Sequence, residues 1–383
     1  MTDETAEIQN WLTCKGPRCT SVAELVDGFC RQLRSAGLPI ERASAGAPLL
    51  HPVAQSSYVG WDLKNGAKQN WFIWTPDRLE ELHASPIHPV YTRGEDVHVD
   101  LTVQADRDRF PIGEELWQEG FTDYHAITLK FSDGSNKVFT AATRQAGGFS
   151  NEELGMLKSV LPLMTLVFEG FIARNTAQTL METYVGKRAG LRVLDGQISR
   201  GDGAHIDAVI WFSDLRGFTS LAQQGSAAET LELLNRYLML VSEAIEANGG
   251  EILKYIGDAV LAIFPHGNDV SAAVAQAEAA AFSALSLHNG SNSGFDFGIA
   301  LHTGSVFYGN IGGGTRLDFT VIGSAVNLAS RIEQLCTELD EPLLVSENFV
   351  QLSRCRWHCA GQHKLKGVDH PQPVFSPVGG EHQ

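Results

Sequence analysis

The stretch Trp211-Phe-Ser-Asp-Leu-Arg-Gly-Phe-Thr219 is answered, 44 positions after its Asp214, by Lys254-Tyr-Ile-Gly-Asp258. An apolar run, Ile206 to Phe212, leads into the first aspartate, and another, Ala259 to Phe264, leaves the second. Strands of that composition hold acidic side chains at rigid positions, where two carboxylates can share divalent cations. The glycine-bearing turn Arg216-Gly-Phe-Thr219 leads into a predicted helix, and the N–H groups at such a helix start suit a polyphosphate. Met alone, Asp214 reads as a helix cap and Asp258 as a hairpin-turn residue. Their pairing with a third segment changes that reading.

The third segment, Leu317-Asp-Phe-Thr-Val-Ile-Gly-Ser-Ala-Val-Asn-Leu-Ala-Ser-Arg331, reads as strand, Gly-Ser turn and helix. Asn327 and Arg331 stand four apart and share one helical face. An amide and a guanidinium so placed can hold a ribose and the charge that develops on a transferring phosphate. In isolation they would read as a surface amide and a solvated cation. Two metal carboxylates are the first requirement of phosphoryl chemistry without a protein nucleophile, which makes Asp214 and Asp258 the candidate metal residues.

The bulk numbers fit two domains: 383 residues, with 43% hydrophobic content. A formal charge of −16 argues against a general nucleic-acid binder, which needs a basic surface. The start, Met1-Thr-Asp-Glu-Thr5, is polar and acidic, unlike a secretory signal. The most apolar segment, Val160 to Ala173, is short and interrupted by Pro162 and Glu169, so no membrane span and a cytoplasmic location are expected. Six cysteines, at 14, 19, 30, 336, 355 and 359, are expected as reduced thiols. Cys355 and Cys359, with His363 beyond, offer zinc donors, but no second pair of comparable spacing accompanies them.

Along the chain, Val22 to Ala36 carries helical apolar spacing. Trp71–Trp74, Val97–Val103 and His125–Phe131 read as strands, and Ser132–Ser135 as a hairpin turn before Lys137–Ala142. Ser150 is a predicted N-cap, with Glu153 completing a capping box. The long helix it opens runs toward Gln178 or Tyr184, bent or broken near Pro162, with apolar positions from Leu154 to Phe171 that suit dimerisation or a solitary core helix. Glycines at 186, 190 and 196 and Ser199–Gly203 mark a linker. The predicted layout is a sensor-like domain over 1–149, a helical linker over 150–204 and a catalytic domain over 205–383. Trp61, Trp71, Trp74 and Trp117 read as core packing, with a ligand pocket as the rival account.

Together Phe212–Thr219, Gly249–Asp258 and Phe319–Arg331 resemble class III nucleotidyl cyclases in order and spacing, over roughly residues 205–377. The resemblance implies an α+β fold: a ferredoxin-like, palm-type catalytic domain with an antiparallel sheet and flanking helices. It implies two Mg2+ or Mn2+ ions on Asp214 and Asp258, with the Leu215 backbone contacting metal. Gly217, Phe218 and Thr219 would contact phosphates, Asn327 and Arg331 the transition state, Lys254 and Thr320 the base, and Lys366 a phosphate. Lys254 only donates, which suits adenine N1, whereas Thr320 donates or accepts and does not exclude guanine. The implied enzyme is an adenylate cyclase that converts ATP to cyclic AMP and pyrophosphate in a head-to-tail homodimer. A guanylate cyclase and a catalytically inactive nucleotide-binding regulator are the alternatives. The first domain resembles a GAF- or PAS-type sensor of an unknown small-molecule or protein signal.

Overall fold

The computed structural model describes residues 3–48, 56–72, 75–290, 294–314 and 316–378. The chain forms two compact units, residues 1–180 and 181–383. Helices α1 (Asp3–Cys14) and α2 (Val22–Ser35) open the first unit, followed by strands β1 (Arg42–Pro48), β2 (Ser56–Asp62) and β3 (Gly66–Phe72). Short elements follow: α3 (Pro76–His83), α4 (Ile87–Arg93), β4 (Val97–Asp100), α5 (Gln104–Arg107) and α6 (Pro111–Gln118). The hairpin β5 (Asp123–Lys130) and β6 (Asn136–Thr143) then leads to the 35-residue helix α7 (Asn151–Val185).

These six strands form one antiparallel sheet, in the order β3-β2-β1-β6-β5-β4. The pleat sorts side chains between two cores. Ile127, Leu129, Phe139 and Ala141 join α1, α2 and α7 on one face. Tyr124, Ala126, Val138 and Ala142 join α4 and α6 on the other. On that second side a cavity of about 1270 Å³ is lined by Tyr58, Tyr91, Tyr124, Arg42 and Arg144, among others. Of the four tryptophans, Trp61 is buried and its Nε1 donates to Asp27 at 2.9 Å, while Trp71 and Trp117 are exposed. Trp74 lies outside the described residues.

The capping box forms: the Ser150 N–H donates to Glu153 at 2.6 Å, and the Glu153 N–H to the Ser150 hydroxyl at 3.2 Å. Helix α7 then runs through Pro162 without a break, which removes one of the two outcomes expected there, a bend or a break. Pro162 stands where the helix buries Val160, Leu161 and Met164, and that packing offsets one missing backbone bond.

In the second unit, α8 (Lys187–Leu194) precedes β7 (Gly203–Leu215), α9 (Phe218–Gln224) and α10 (Ala227–Ala247). The chain continues through β8 (Glu251–Ile256), β9 (Ala259–Pro265), α11 (Val270–Gly290), β10 (Phe297–Gly313), β11 (Arg316–Ile322) and α12 (Ser324–Glu338). It closes with β12 (Leu343–Ser346), α13 (Glu347–Val350), β13 (Trp357–His363) and β14 (Gln372–Pro377). The sheet order β13-β14-β12-β10-β7-β9-β8 contains β10-β7-β9-β8, the 4-1-3-2 antiparallel order of a ferredoxin-like βαββαβ core. Among the described residues, β10 and β12 form the one parallel pair.

The linker glycines do not all lie in open chain. Ala189 and Gly190 of α8 are buried, and Ala189 packs with Ile210, Leu253 and Phe319 in the second unit's core. By length and composition α7 and α11 could cross a membrane, a property the shorter apolar window at 160–173 had hidden. Both place apolar residues in protein cores, Leu157 to Phe171 and Ala273 to Ala284.

Candidate active site

Alternation along β7 positions Asp214. Val209, Trp211 and Leu215 face the core under α10 and α11, while Ala208, Ile210 and Phe212 face the opposite side. Asp214 continues the second series. Its strand is pinned from below: Trp211 Nε1 donates to the Ser213 hydroxyl at 3.0 Å, and that hydroxyl pairs with Tyr237 at 2.9 Å. Asp258 sits in the β8–β9 turn after Gly257, whose φ of +68° favours glycine. The ladder pairs Ser213 with Val260, so the turn brings Asp258 beside the end of β7.

The two carboxyls lie close enough for each to feel the other's charge. Burial pushes the Asp214 carboxyl up to about 7, with the neighbouring Asp258 charge adding to it. The Leu215 N–H, 3.1 Å from Asp214 Oδ1, opposes the rise. Two half-buried carboxyls this close repel unless a proton or a cation lies between them. The oxygen donor set, rigid strand and crowded charge fit a hard divalent cation.

A third carboxyl escaped the sequence reading. Glu333 of α12 is 6% exposed, and burial followed by the Asp214 charge pushes it up to about 8, against the pull of Arg216. Arg216 clamps the loop after Asp214 to the end of α12: its guanidinium donates to the Cys336 and Glu341 carbonyls and to Asp340 at 2.8–2.9 Å. Nothing in the local sequence marks Glu333, because its neighbourhood is created by the fold.

Gly217 caps α9 with a φ of +68°, leaving the first helical amides, those of Phe218 and Thr219 included, without intrahelical acceptors. The Thr219 side chain lies outside the described residues. Lys254 is ion-paired with Asp318 across β8 and β11. Thr320, two residues along β11, is 6% exposed, and its hydroxyl has no protein partner. Asn327 is exposed on α12, and Arg331 bonds Gln334 at 3.0 Å. Lys366 is exposed, after the buried Leu365. Among the described residues, no hydrogen bond or ion pair joins Lys254, Thr320, Asn327, Arg331 or Lys366 to the aspartate pair. Asp214, Asp258 and Glu333 thus stand near enough to feel one another's charge, and Lys254 is held by Asp318, two residues from Thr320.

All six cysteines are free thiols. Cys355 contacts Glu278 at 3.5 Å, while Cys359 and His363 meet backbone carbonyls of their own strand. Among the described residues these three donors do not form a metal-binding group.

Residues 203–375 match the family model of the adenylate and guanylate cyclase catalytic domain. The chain is 38% identical over 152 residues to the terminal-differentiation-specific adenylate cyclase of Dictyostelium discoideum, covering 38% of this chain and 7% of that protein. It is 37% identical over 153 residues to an adenylate cyclase of Anabaena cylindrica, covering 38% of this chain and 30% of that protein. The chain thus spans under a third of the length of these curated relatives. Among solved structures it is similar to the adenylyl cyclase CyaB from P. aeruginosa, at 30% identity and a TM-score of 0.40, covering 47% of this chain and 97% of that one. The matched segment, with its paired aspartates at adjoining strand ends, is similar to the adenylate and guanylate cyclase catalytic domain.

Proposed function

We propose that the protein is an adenylate cyclase, converting ATP to 3′,5′-cyclic AMP and pyrophosphate in a homodimer. The observation that carries the reading is the Asp214–Asp258 pair, two closely spaced carboxyls at strand ends within the segment that matches the cyclase family model. Two Mg2+ or Mn2+ ions held by the pair and the Leu215 backbone would polarise the attacking 3′-hydroxyl and neutralise the phosphates. Asp214 and Asp258 orient the reacting end of the nucleotide. The amides at Gly217, Phe218 and Thr219 hold phosphate oxygens at a helix start. Lys366 is assigned a further phosphate contact.

Lys254 donates to adenine N1, and the unpartnered Thr320 hydroxyl is available to N6. Asn327 positions the ribose, and Arg331 stabilises charge on the transferring phosphate. Ring closure within one molecule leaves positioning and charge stabilisation as the main tasks. In this reading, as the resemblance to class III cyclases implies, the partner subunit supplies the second set to the first. Exposed apolar residues Leu231, Met239, Tyr255, Ile256 and Ile322 on the second unit offer material for such an interface. Guanylate cyclase activity is the second reading, which Thr320 does not exclude, since its hydroxyl can also serve a guanine acceptor.

The first unit we assign as a GAF- or PAS-like sensor, supported by its six-stranded antiparallel sheet and its large cavity. In this reading the protein is cytoplasmic, and α7 and α8 carry the signal to the catalytic unit.

Mixing two inactive variants tests the composite site. Asp214→Ala and Arg331→Ala, each dead alone, should regain about a quarter of wild-type turnover once subunits exchange, since half the dimers then hold one intact site of two. No recovery in exchanged dimers would count against the shared site.

A further inference from the structure

His98 on β4 and His125 on β5 are direct cross-strand partners. Cross-strand partners hold their Cβ atoms about 5 Å apart on one sheet face. The two imidazoles stack, with ring centres 4.3 Å apart and planes within 7°. Asp123, two residues before His125 and on the same face, reaches both. Its Oδ1 lies 2.7 Å from His98 Nε2 and its Oδ2 lies 3.3 Å from His125 Nε2. The three donor atoms all fall within 4.8 Å of one another. None of the three residues has a part in the cyclase chemistry, which lies in the other unit.

The surroundings fix the carboxylate. Asp123 is 5% exposed, and its Oδ2 also accepts the Phe149 N–H at 2.9 Å. Gly148 (φ +73°) closes over it: a Cβ there would fall 2.6 Å from Asp123 Oδ2, so only glycine lets the chain pass. His125 is buried and its ring meets Phe149 edge-on, while His98 keeps about half of its side-chain surface in solvent. The result is a buried, anchored carboxylate, one buried imidazole, and one imidazole at the mouth of the group.

We propose that the first unit binds one divalent transition-metal ion on His98, His125 and Asp123. Two imidazole nitrogens and a carboxylate oxygen form the donor set that suits zinc and its first-row neighbours, and poorly suits Mg2+ or Ca2+. Legs of about 2.0–2.1 Å place tetrahedral donors roughly 3.4 Å apart. The ion therefore enters by displacing the proton that His98 and Asp123 share, with His98 swinging slightly outward. Its half-exposed position permits this, and water completes the shell on the open side. The ion would sit beside Phe149, directly before the Ser150 cap of α7, so its occupancy bears on how that helix is anchored.

The test uses the full chain, free of any metal-chelating tag and stripped with a chelator, in millimolar Mg2+ to occupy oxygen-donor sites. Zn2+ and, as a spectroscopic probe, Co2+ are titrated into wild type, His98→Ala, His125→Gln and Asp214→Ala. Wild type and Asp214→Ala should each retain one equivalent of zinc after desalting. They should also show visible cobalt absorption of a nitrogen-containing, low-coordinate site. Both histidine variants should lose that equivalent, with zinc weakened by more than the ~10-fold that even an outer-shell loss produces. His98 keeps about half of its side-chain surface in solvent, so His98→Ala should keep the wild-type circular dichroism, with a melting point lowered by the lost bond to Asp123. Zinc retained equally by wild type and the folded His98→Ala variant, or not retained by wild type at all, overturns the site.

Discussion

Lys254 is ion-paired with Asp318, which stands two residues before Thr320 on β11. The pair fixes the direction of a flexible lysine on the strand that leads into Asp258, so the groups assigned to the base are preorganised. An ammonium has three donors, and Asp318 leaves donors free for a ring nitrogen.

Nucleotide preference should follow that lysine. Lys254→Glu replaces a donor with an acceptor and should shift the ATP-to-GTP ratio of kcat/KM toward GTP by roughly 10–100-fold, the value of one charged hydrogen bond. Asp318→Ala should lower the same ratio by less, because the donor remains but loses its guide. Steady-state kinetics with both nucleotides check this, and an unchanged ratio in Lys254→Glu would remove Lys254 from base recognition.

Stability of the metal-free protein should fall as pH rises. Asp214 and Glu333 titrate at about 7 and about 8 in the folded chain but near 4 when unfolded. The folded state therefore binds more protons, and its advantage is lost from about pH 4 upward through 8. Glu333→Gln removes one of the two groups. With chelator present, its melting temperature should exceed wild type at pH 8 and approach it at pH 5. Parallel wild-type and variant curves across that range would contradict the burial of Glu333 as an acid.

Helix α12 docks with no room beside Gly298. A Cβ there would lie 2.7 Å from Cys336 Cβ and 2.9 Å from Glu333 Oε1. Gly298→Ala should therefore cost about 1–3 kcal/mol, read from the denaturant midpoint. It should also lower turnover, since α12 carries Asn327 and Arg331. A midpoint equal to wild type would mean that α12 shifts freely.

Sensor coupling predicts that removing residues 1–180 changes turnover of the remainder. Measured rates and dimerisation that both match the full chain would disconnect the two units.

Much of the catalytic unit was legible in the chain because its chemistry sits at strand ends and turns. Asp214 and Asp258 are flanked by apolar β runs, and Gly217 and Gly257 mark turns with positive φ, so local sequence nearly suffices. Glu333, Arg216 and Asp318 were not legible, since their roles arise from contacts between segments far apart in sequence. In the first unit, the Val22–Ser35 helix and the β5–β6 hairpin follow from periodicity and the Asp133-Gly134 turn. Strand β1 (Arg42–Pro48), built of arginine, alanine, serine, glycine and proline, lacks the β-branched signature and owes its place to its pairing with β2 and β6. The helix through Pro162 shows packing overriding a local breaker, and α8 shows glycines serving close contact, with Gly190 against Met181.

The central claim rests on Asp214 and Asp258 as the metal-holding pair of an active cyclase. Purified full-length protein, given ATP or GTP with Mg2+ or Mn2+, is assayed for cyclic nucleotide beside Asp214→Ala. The account predicts cyclic AMP as the main product, reduced by at least about 10³-fold in the variant, as loss of a metal site implies. Cyclic AMP formed equally well by Asp214→Ala would contradict it.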